Sequence, residues 1–366
     1  MDRSRRPALR PPPPPACDRE RDVVTTEPGR RTSSRPGSPT WRVVRAVIAA
    51  LGLLAAAAVV WPALFGLSTT PGFLHLVSFR GPVAAAGLVA AGVAAVFLNP
   101  WRRPSFWRTL IVAMVLVVGL GNAGTMLVRG WAGSPVAGSA DLVVVSYNTE
   151  VGGTTADEIA ALVRARGADM VSLPETSEAT ARRAAELLAA GGRGYQVLHT
   201  QERRDDTSST SLLVADSLGV YALAATPSTV LGTVRAEPVG HDGPTLVAVH
   251  TGAPVPAIGY DRWAQAVATG VAQARDTPNA IVAGDFNATM DHAPMRDLGD
   301  YVDAATEAGR GAEGTWPSTF PVLVAAPIDH VLVNPAHYRV LSTQTVVAGG
   351  SDHRALIARL AAVPAS

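Results

Sequence analysis

Three long apolar stretches without charged residues constrain this 366-residue chain more than any other feature. They cover residues 46–67, 81–98 and 109–128. A helix needs about 20 apolar residues to cross a hydrocarbon core of roughly 30 Å. A cleaved signal peptide fits poorly, because the first stretch is too long and two more follow it. We therefore predict a membrane region at residues 42–130 that contains three transmembrane helices.

The distribution of Arg residues predicts how these helices are oriented. Residues 1–45 carry 11 Arg, and the second connection between the helices carries Arg102, Arg103 and Arg108, whereas the first connection has only Arg80. Arg-rich flanking segments tend to remain in the cytoplasm. We therefore expect a multi-pass protein of the cell membrane, with a cytoplasmic N-terminus and residues 131–366 outside.

Two segments read as irregular. Residues 1–41 combine a proline run with Arg, Ser and Thr, a composition that cannot bury a core, so we predict a disordered tail. Residues 131–140 are rich in Gly, Ala and Ser and are predicted to form a short flexible linker.

The basic residues and the cysteine count exclude several kinds of chemistry. All 31 basic residues are Arg, so a lysine Schiff base and the lysine of a phosphate-binding loop are excluded. Such Lys-free, Ala-rich usage is typical of a GC-rich bacterial genome. The single Cys17 excludes an intramolecular disulfide or a multi-cysteine metal site. Residues 131–366 carry 15 Arg against 25 acidic residues, which argues against a basic stripe for tight nucleic-acid binding.

Residues 141–366 alternate apolar runs with amphipathic segments and are long enough for one large domain. Thr155 followed by Glu158 resembles a capping box that opens a helix ending near Arg166. Further helices are predicted at 177–190 and between Pro256 and Arg275. Strands are predicted at 142–147, 170–173, 211–214, 245–250, 280–283, 328–333, 340–347 and 355–360. This order indicates α/β layers around a pair of sheets.

Polar residues stand out at the ends of these predicted strands, where side chains distant in sequence can converge at one edge of a sheet. An oxygen-rich set of this kind suits a hard cation such as Mg²⁺, and two histidines offer proton donors or acceptors. The candidate residues are Asn148, Glu175, His250, Asp285, Asn287, Asp329, Asp352 and His353. His330 alternates with Asp329 along its strand and is expected to face the other way.

Three motifs carry a resemblance to a known family. They are GDFNA at 284–288, SDH at 351–353 and IDHVLV at 328–333. With Asn148, Glu175 and His250 in order before them, they resemble the endonuclease/exonuclease/phosphatase superfamily over residues 141–361. That superfamily of Mg²⁺-dependent phosphoesterases includes DNase I-like nucleases, sphingomyelinases and inositol polyphosphate 5-phosphatases. The resemblance implies a four-layer α/β sandwich with two mixed sheets face to face and the active site at one edge.

The resemblance also implies roles for the candidate residues. Glu175 would be the main Mg²⁺ ligand, with Asn148 and Asp352 in or near its coordination shell. Asp285 and Asn287 would orient the attacking water and the phosphate. His353, oriented by Asp329, would act as base or stabilise the phosphate, and His250 would bind phosphate or assist the leaving group. The sequence departs from the family pattern at Pro174, where Gln is usual, and at Pro327, where Arg is common.

We therefore expect a membrane-anchored hydrolase that uses Mg²⁺, with Mn²⁺ as the alternative metal, and that needs no obligate protein partner. Its substrate would be a phosphodiester or phosphomonoester in nucleic acid, a lipid head group or the cell envelope. Two alternatives remain open. Pro174 and Pro327 motivate a catalytically idle domain that binds a phosphate ligand. The Pro-rich tail motivates a structural membrane protein that recruits partners.

Overall fold

The computed structural model describes residues 39–364. The tail predicted at residues 1–41 therefore lies outside the described residues, apart from its last three. The chain divides into two units, residues 1–44 and residues 45–366. The described part of the first unit, residues 39–44, is helical.

Residues 39–130 contain four α-helices joined by turns. They are α1 (Pro39–Val60), α2 (Phe73–Ser78), α3 (Arg80–Leu98) and α4 (Phe106–Arg129). Three of them, α1, α3 and α4, have the length and apolar composition that crossing a membrane requires. α1 is shifted toward the N-terminus relative to the predicted stretch 46–67. It ends at Val60 because Pro62 lacks an N–H and disfavours helical geometry at Trp61.

α3 and α4 pack closely against each other where Gly87 of α3 meets Gly119 of α4. A Cβ atom placed on Gly87 would lie only 2.8 Å from the Cα atom of Gly119. Small residues at such a crossing let two backbones approach closely, which is the usual basis of helix association in a membrane.

Residues after 140 form two six-stranded mixed sheets and four further helices. The strands are β1 (Leu142–Ser146), β2 (Met170–Pro174), β3 (Tyr195–Gln201), β4 (Ser209–Ala215), β5 (Tyr221–Ala224), β6 (Val230–Pro238), β7 (Thr245–Thr251), β8 (Ala280–Asp285), β9 (Val302–Asp303), β10 (Asp329–Val333), β11 (Tyr338–Val347) and β12 (Arg354–Ala362). The helices are α5 (Ala156–Arg166), α6 (Glu178–Ala190), α7 (Tyr260–Arg275) and α8 (Ala304–Glu307).

The first sheet has the order β11-β12-β1-β2-β4-β3, and the second has the order β5-β6-β7-β8-β10-β9. Each contains one parallel pair, β1 with β2 and β7 with β8, and each of these pairs is joined by a helix. All other neighbouring strands are antiparallel. In each sheet the carboxyl ends of the parallel strands therefore lie at one edge.

Alternating side chains place the strands between two apolar layers. Leu142 and Val144 of β1 point into the core between the sheets, whereas Val143 and Val145 pack with α5 and α6. α7 covers the outer face of the second sheet. This arrangement confirms the predicted four-layer α/β sandwich, with helices outside two facing sheets.

Two local predictions compare directly with the structure. Thr155 and Glu158 form the expected capping box: Glu158 N donates to Thr155 Oγ1 at 3.3 Å, and Thr155 N donates to Glu158 Oε2 at 2.8 Å. The segment 131–140, predicted as a flexible linker, is hydrogen-bonded to the domain. Gly133 N donates to the carbonyl of Gly309 at 3.1 Å, and Val136 N donates to that of Leu341 at 2.7 Å.

Candidate active site

Most of the candidate residues come from the carboxyl ends of the parallel strands. Glu175 directly follows β2, and Asn148 lies just beyond β1 in the same sheet. In the second sheet, His250 of β7 and Asp285 of β8 are direct register partners. Asp329, the first residue of β10, is paired with Asp285 in the antiparallel register. The topology thus brings both sheets' polar residues to one edge.

Asn148 joins the two sheets at this edge. Its Nδ2 donates to Glu175 Oε1 at 3.1 Å and to Asp285 Oδ2 at 3.0 Å. Both Asn148 and Asp285 are buried. Asp285 is held from its other side as well, because Asn287 N donates to Asp285 Oδ1 at 2.8 Å. One amide therefore determines the spacing of two carboxylates on different sheets.

His353 and Asp329 form a buried pair. His353 Nδ1 lies 2.9 Å from Asp329 Oδ2, and His353 Nε2 lies 3.7 Å from Asp285 Oδ2. Burial disfavours the charged imidazolium, but the carboxylates of Asp329 and Asp285 outweigh burial and raise the pKa of His353 to about 10. The ring is therefore protonated near neutral pH in the metal-free protein, with Nε2–H directed toward Asp285.

The pKa of His250 is shifted in the opposite direction from that of His353. Its Nε2 lies 3.7 Å from Glu175 Oε1 and 3.9 Å from Asp285 Oδ2. Burial lowers the pKa of His250 to about 4, so the ring is neutral at pH 7. Its buried Nδ1 has no hydrogen-bond partner among the described residues. Two histidines at one site thus have pKa values displaced in opposite directions, as at many acid–base sites.

Asp352 is more accessible than the other three candidate carboxylates, with its side chain 39% exposed. Its Oδ2 accepts a hydrogen bond from Trp316 Nε1 at 2.7 Å, and its Oδ1 lies 3.9 Å from His353 Nε2. Its backbone N donates to Glu150 Oε2 at 2.8 Å. Sequence reasoning missed Trp316 and Glu150, since neither belongs to a motif. The signal available was weak, namely an aromatic residue in the loop before β10.

Four carboxylates share this site, and their electrostatics favour a cation. Burial raises the pKa of Glu175 to about 7. The negative charges of Asp285 and, to a smaller extent, Asp352 contribute to this increase. Burial, reinforced by Asp329, also raises the pKa of Asp285. Asp329 Oδ1 is buried without a hydrogen-bond partner in the described part of the chain. Crowded carboxylates of this kind are the donors that a divalent metal ion neutralises.

The residues present offer two separate sets of ligands for a divalent metal ion. Asp285, Asp329 and His353 offer ligand atoms within 4.8 Å of one another. The predicted set of Glu175, Asn148 and Asp352 offers only oxygen ligands, which suit a hard cation such as Mg²⁺ better than a set that includes an imidazole nitrogen.

The backbone at the site is strained. Glu175 has φ +56° and Asn287 has φ +47°, a left-handed region that residues with side chains seldom adopt. Glu150 and Val151, in the loop after Asn148, have φ values of +51° and +38°. Such outliers cost energy and concentrate at functional sites, where they aim side chains that a regular strand end would direct elsewhere.

His330 and the two prolines that depart from the family pattern lie outside this cluster. His330 faces away, as predicted: its Nδ1 pairs with Asp303 Oδ1 at 3.0 Å and its Nε2 with the carbonyl of Ala288 at 2.9 Å. Pro174 is the buried last residue of β2, and its carbonyl accepts from Thr149 N at 3.1 Å. Pro327 lines a small cavity beside Arg80 at the start of α3.

Several solved structures are similar to this chain. The catalytic domain of human Nocturnin with bound sulfate is 16% identical, with a TM-score of 0.45, and the match covers 63% of this chain and 98% of that one. A humanised TDP2 of D. rerio is 16% identical, with a TM-score of 0.47, over 60% of this chain and 98% of that one. An endonuclease/exonuclease/phosphatase of Bacteroides vulgatus is 16% identical, with a TM-score of 0.46, over 61% and 99%. A search of curated proteins finds no match to the sequence.

The sequence itself matches a family model. The match covers residues 145–353, which is more than half of the chain and runs from β1 to the His353 motif. It therefore includes every candidate residue from Asn148 to His353. The chain belongs to the endonuclease/exonuclease/phosphatase family.

Proposed function

We propose that this protein is a membrane-anchored, metal-dependent phosphoesterase that hydrolyses its substrate by attack of water on phosphorus. The observation that carries the proposal is the junction of two sets of groups at one edge. Asn148 holds Glu175 and Asp285 together, and the His353–Asp329 pair faces the same Asp285 oxygen at 3.7 Å. Hydrolysis of a phosphoester needs groups that offset the negative charge of the phosphate, and it needs a water molecule oriented for attack.

Glu175, Asn148 and Asp352 would hold Mg²⁺, with Mn²⁺ as the alternative. When bound, the metal would polarise a phosphoryl oxygen and neutralise developing charge. The candidate site carries four carboxylates against one imidazolium, so it needs a cation before it can accept a phosphate anion.

The remaining residues divide the chemistry among them. Asp285, whose pKa is raised and which is anchored by Asn287, would accept the proton of the attacking water. The protonated His353, held in place by Asp329, would donate from Nε2 to a phosphoryl oxygen. The neutral His250 would bind the phosphate or assist the leaving group.

The substrate proposal depends on charge and anchoring. Residues 131–366 have ten more acidic than basic residues, which disfavours a long polyanion. A domain that follows three helices able to cross a membrane favours a phosphoester at the membrane surface, in a lipid head group or an envelope component.

We further propose that the N-terminus is cytoplasmic and the catalytic domain outside. A reporter fused after residue 366 that is active only in the cytoplasm would overturn this orientation.

Full-length protein in detergent tests the catalytic proposal with paired variants. Glu175→Gln and His353→Asn should each lower kcat at least about 10²-fold. The matched controls Glu202→Gln and His241→Asn, which change residues outside the site, should retain wild-type turnover. The assay follows metal-dependent release from a generic phosphodiester, phosphomonoester, supercoiled DNA and phospholipid vesicles, with Mg²⁺, Mn²⁺ or EDTA.

The outcomes separate the alternatives. Metal-dependent turnover lost only in Glu175→Gln and His353→Asn supports the enzyme, and the best substrate gives its class. A folded protein that binds Mn²⁺ and phosphate without turnover on any substrate would instead favour the idle binding domain. Equal activity in His353→Asn and His241→Asn would refute the assigned site.

A further inference from the structure

A second charged cluster lies where the helices of the membrane region meet the catalytic domain. Asp291, in the loop after β8, accepts from Arg80 through Nε and Nη2, both at 2.6 Å. The same carboxylate lies 2.9 Å from Arg129 Nη1 at the end of α4. The side chains are 6% exposed for Arg80, 13% for Arg129 and 10% for Asp291. Two buried guanidinium groups therefore share one carboxylate.

Arg80 has a complete set of partners. Besides Asp291, its Nη1 donates to the carbonyl of Val60 at 3.0 Å and to Asn122 Oδ1 at 2.7 Å. This single residue thus ties the end of α1, the middle of α4 and the catalytic domain together. One Arg–Asp pair suffices for that structural task, so the structural role leaves the positive charge of Arg129 unexplained.

Arg296 adds a third guanidinium to the same cluster. It is exposed, lies within electrostatic range of Arg129 and lines a cavity with Arg80 and Asp291. Among residues 39–364 no ion pair is recorded for Arg296. Asp303, the other carboxylate acting on Arg129, is already paired with His330. Three cations against Asp291 leave a surplus of two positive charges.

The cavity itself has an amphipathic lining. Its volume is about 140 Å³, larger than one water molecule requires. Its apolar wall is the turn after α1, formed by residues 61–64, in which Trp61 is 43% and Leu64 70% exposed. We call this space the junction cavity. The polar lining of Arg80, Arg296 and Asp291, together with the exposed Trp61 and Leu64, matches a molecule with an anionic head and an apolar body.

The position of the junction cavity points to the source of such a molecule. α1 ends at Val60 and α3 begins at Arg80, both beside the cavity, and α4 ends at Arg129, which contacts the lining residue Asp291, so the same end of all three helices lies at this junction. If these helices cross the membrane as we propose, that end lies at the depth of the lipid head groups, where Trp is also enriched.

We propose that the junction cavity binds the phosphate group of an anionic phospholipid, with the charge supplied by Arg296 in its lining and by Arg129, which contacts the lining residue Asp291. Guanidinium groups bind phosphate strongly, because each can donate two parallel hydrogen bonds to its oxygens. The bound lipid would complete the contact between the helices and the catalytic domain. This site is independent of the proposed catalytic chemistry, and free inorganic phosphate offers the same recognition group.

Lipid binding to the full-length protein in detergent tests the proposal. Phosphatidylglycerol and phosphatidylcholine are titrated separately, and bound lipid is counted by native mass spectrometry. Arg296→Gln is the informative variant, because Arg296 is exposed and does not bond to Asp291. Arg359→Gln, at an exposed position on β12 outside the cavity lining, is the matched control. Inorganic phosphate forms a third arm, as a competitor.

We expect wild type and Arg359→Gln to retain phosphatidylglycerol in preference to phosphatidylcholine. Loss of one surface-proximal Arg should weaken phosphatidylglycerol binding about fivefold in Arg296→Gln. Displacement of the lipid by inorganic phosphate in wild type supports the anion site and makes free phosphate a second source. Equal retention of both lipids, or phosphatidylglycerol binding unchanged in Arg296→Gln, would overturn the proposal.

Discussion

At the scale of single residues, the candidate site depends on a few hydrogen-bond donors that control where carboxylates lie. Asn148 spaces Glu175 and Asp285, and Trp316 holds Asp352 through one bond of 2.7 Å. Each hydrogen bond helps to fix the orientation of a carboxylate group at the site. Outer partners of this kind orient the groups that bind a metal, and losing one typically lowers metal affinity about 10–100-fold.

Trp316 provides a test at this scale. Trp316→Phe keeps the aromatic ring but removes the N–H that Asp352 accepts. We expect the apparent Mg²⁺ affinity to fall about 10-fold, while kcat at saturating Mg²⁺ stays near the wild-type value. Metal titration of activity measures both quantities. A large loss of kcat with unchanged metal affinity would show that Trp316 acts on the substrate instead.

At the scale of elements, the short helix α2 was not predicted from the sequence, and it contacts the core of the domain after residue 140. Leu74 of α2 is fully buried in the apolar cluster that also contains Trp263 of α7. The carbonyl of Leu74 lies 3.1 Å from His292 Nε2, and Thr289 N donates to His292 Nδ1 at 2.8 Å. These two contacts require a neutral His292 with its proton on Nε2.

His292 therefore predicts a pH dependence of stability. Burial lowers the pKa of His292 to about 4, opposed by Asp291 and reinforced by Arg129. Because the folded pKa lies below the ordinary value of 6.5, the unfolded chain alone takes up a proton as the pH falls through that window. His292 should thus cost about 3 kcal/mol of stability between pH 6.5 and 4, and nothing further below.

Chemical denaturation of wild type and His292→Gln across pH 7 to 4 measures this contribution. Other buried groups, including His250, titrate in the same pH range. The prediction therefore concerns the difference in the free energy of unfolding between wild type and His292→Gln. We expect the variant to be less stable at pH 7 and to lose stability less steeply on acidification. Parallel curves for both proteins would contradict the neutral, buried His292.

At the scale of the whole molecule, the helices before residue 131 and the catalytic domain share buried groups. Leu74 lies in the core of the domain, and Asp291 is neutralised by Arg80 and Arg129. Gly133 approaches the domain so closely that a Cβ atom on it would lie 1.8 Å from the carbonyl oxygen of Ala308. The domain is therefore docked on the helices rather than tethered at a distance.

Removing residues 1–130 should consequently destabilise the catalytic domain. Loss of the Leu74 side chain from the apolar cluster costs about 2–5 kcal/mol. Asp291 loses its ion pairs with Arg80 and Arg129 and becomes exposed to water. The loss at Leu74 alone is a large fraction of the stability of an ordinary domain. We expect residues 131–366 alone to unfold at a much lower temperature than the full chain. Leu74→Ala in the full chain should reproduce part of that loss, and an unchanged melting temperature for the isolated domain would contradict the docked arrangement.

Much of the fold follows from sequence patterns that are local. The capping box at Thr155 and most strands lie where apolar periodicity predicts them. The strands that escaped prediction, β3, β5, β6 and β9, include partly exposed edge segments without a clean alternation. Their pairing depends on neighbours that are distant in sequence, so no local pattern specifies them.

Two features of this protein follow from the order of its amino acids. Three helices able to cross a membrane can be predicted, because a helix satisfies its own backbone hydrogen bonds and only length and apolarity matter. The family can be predicted as well, because the residues from Asn148 to His353 occur in order. The contacts of Trp316 and Glu150 with Asp352, and the grouping of Arg80, Arg129 and Arg296 near Asp291, arise from packing instead. These contacts join residues far apart in the chain, and their energies depend on burial and on distances that arise only when the sheets and helices pack together.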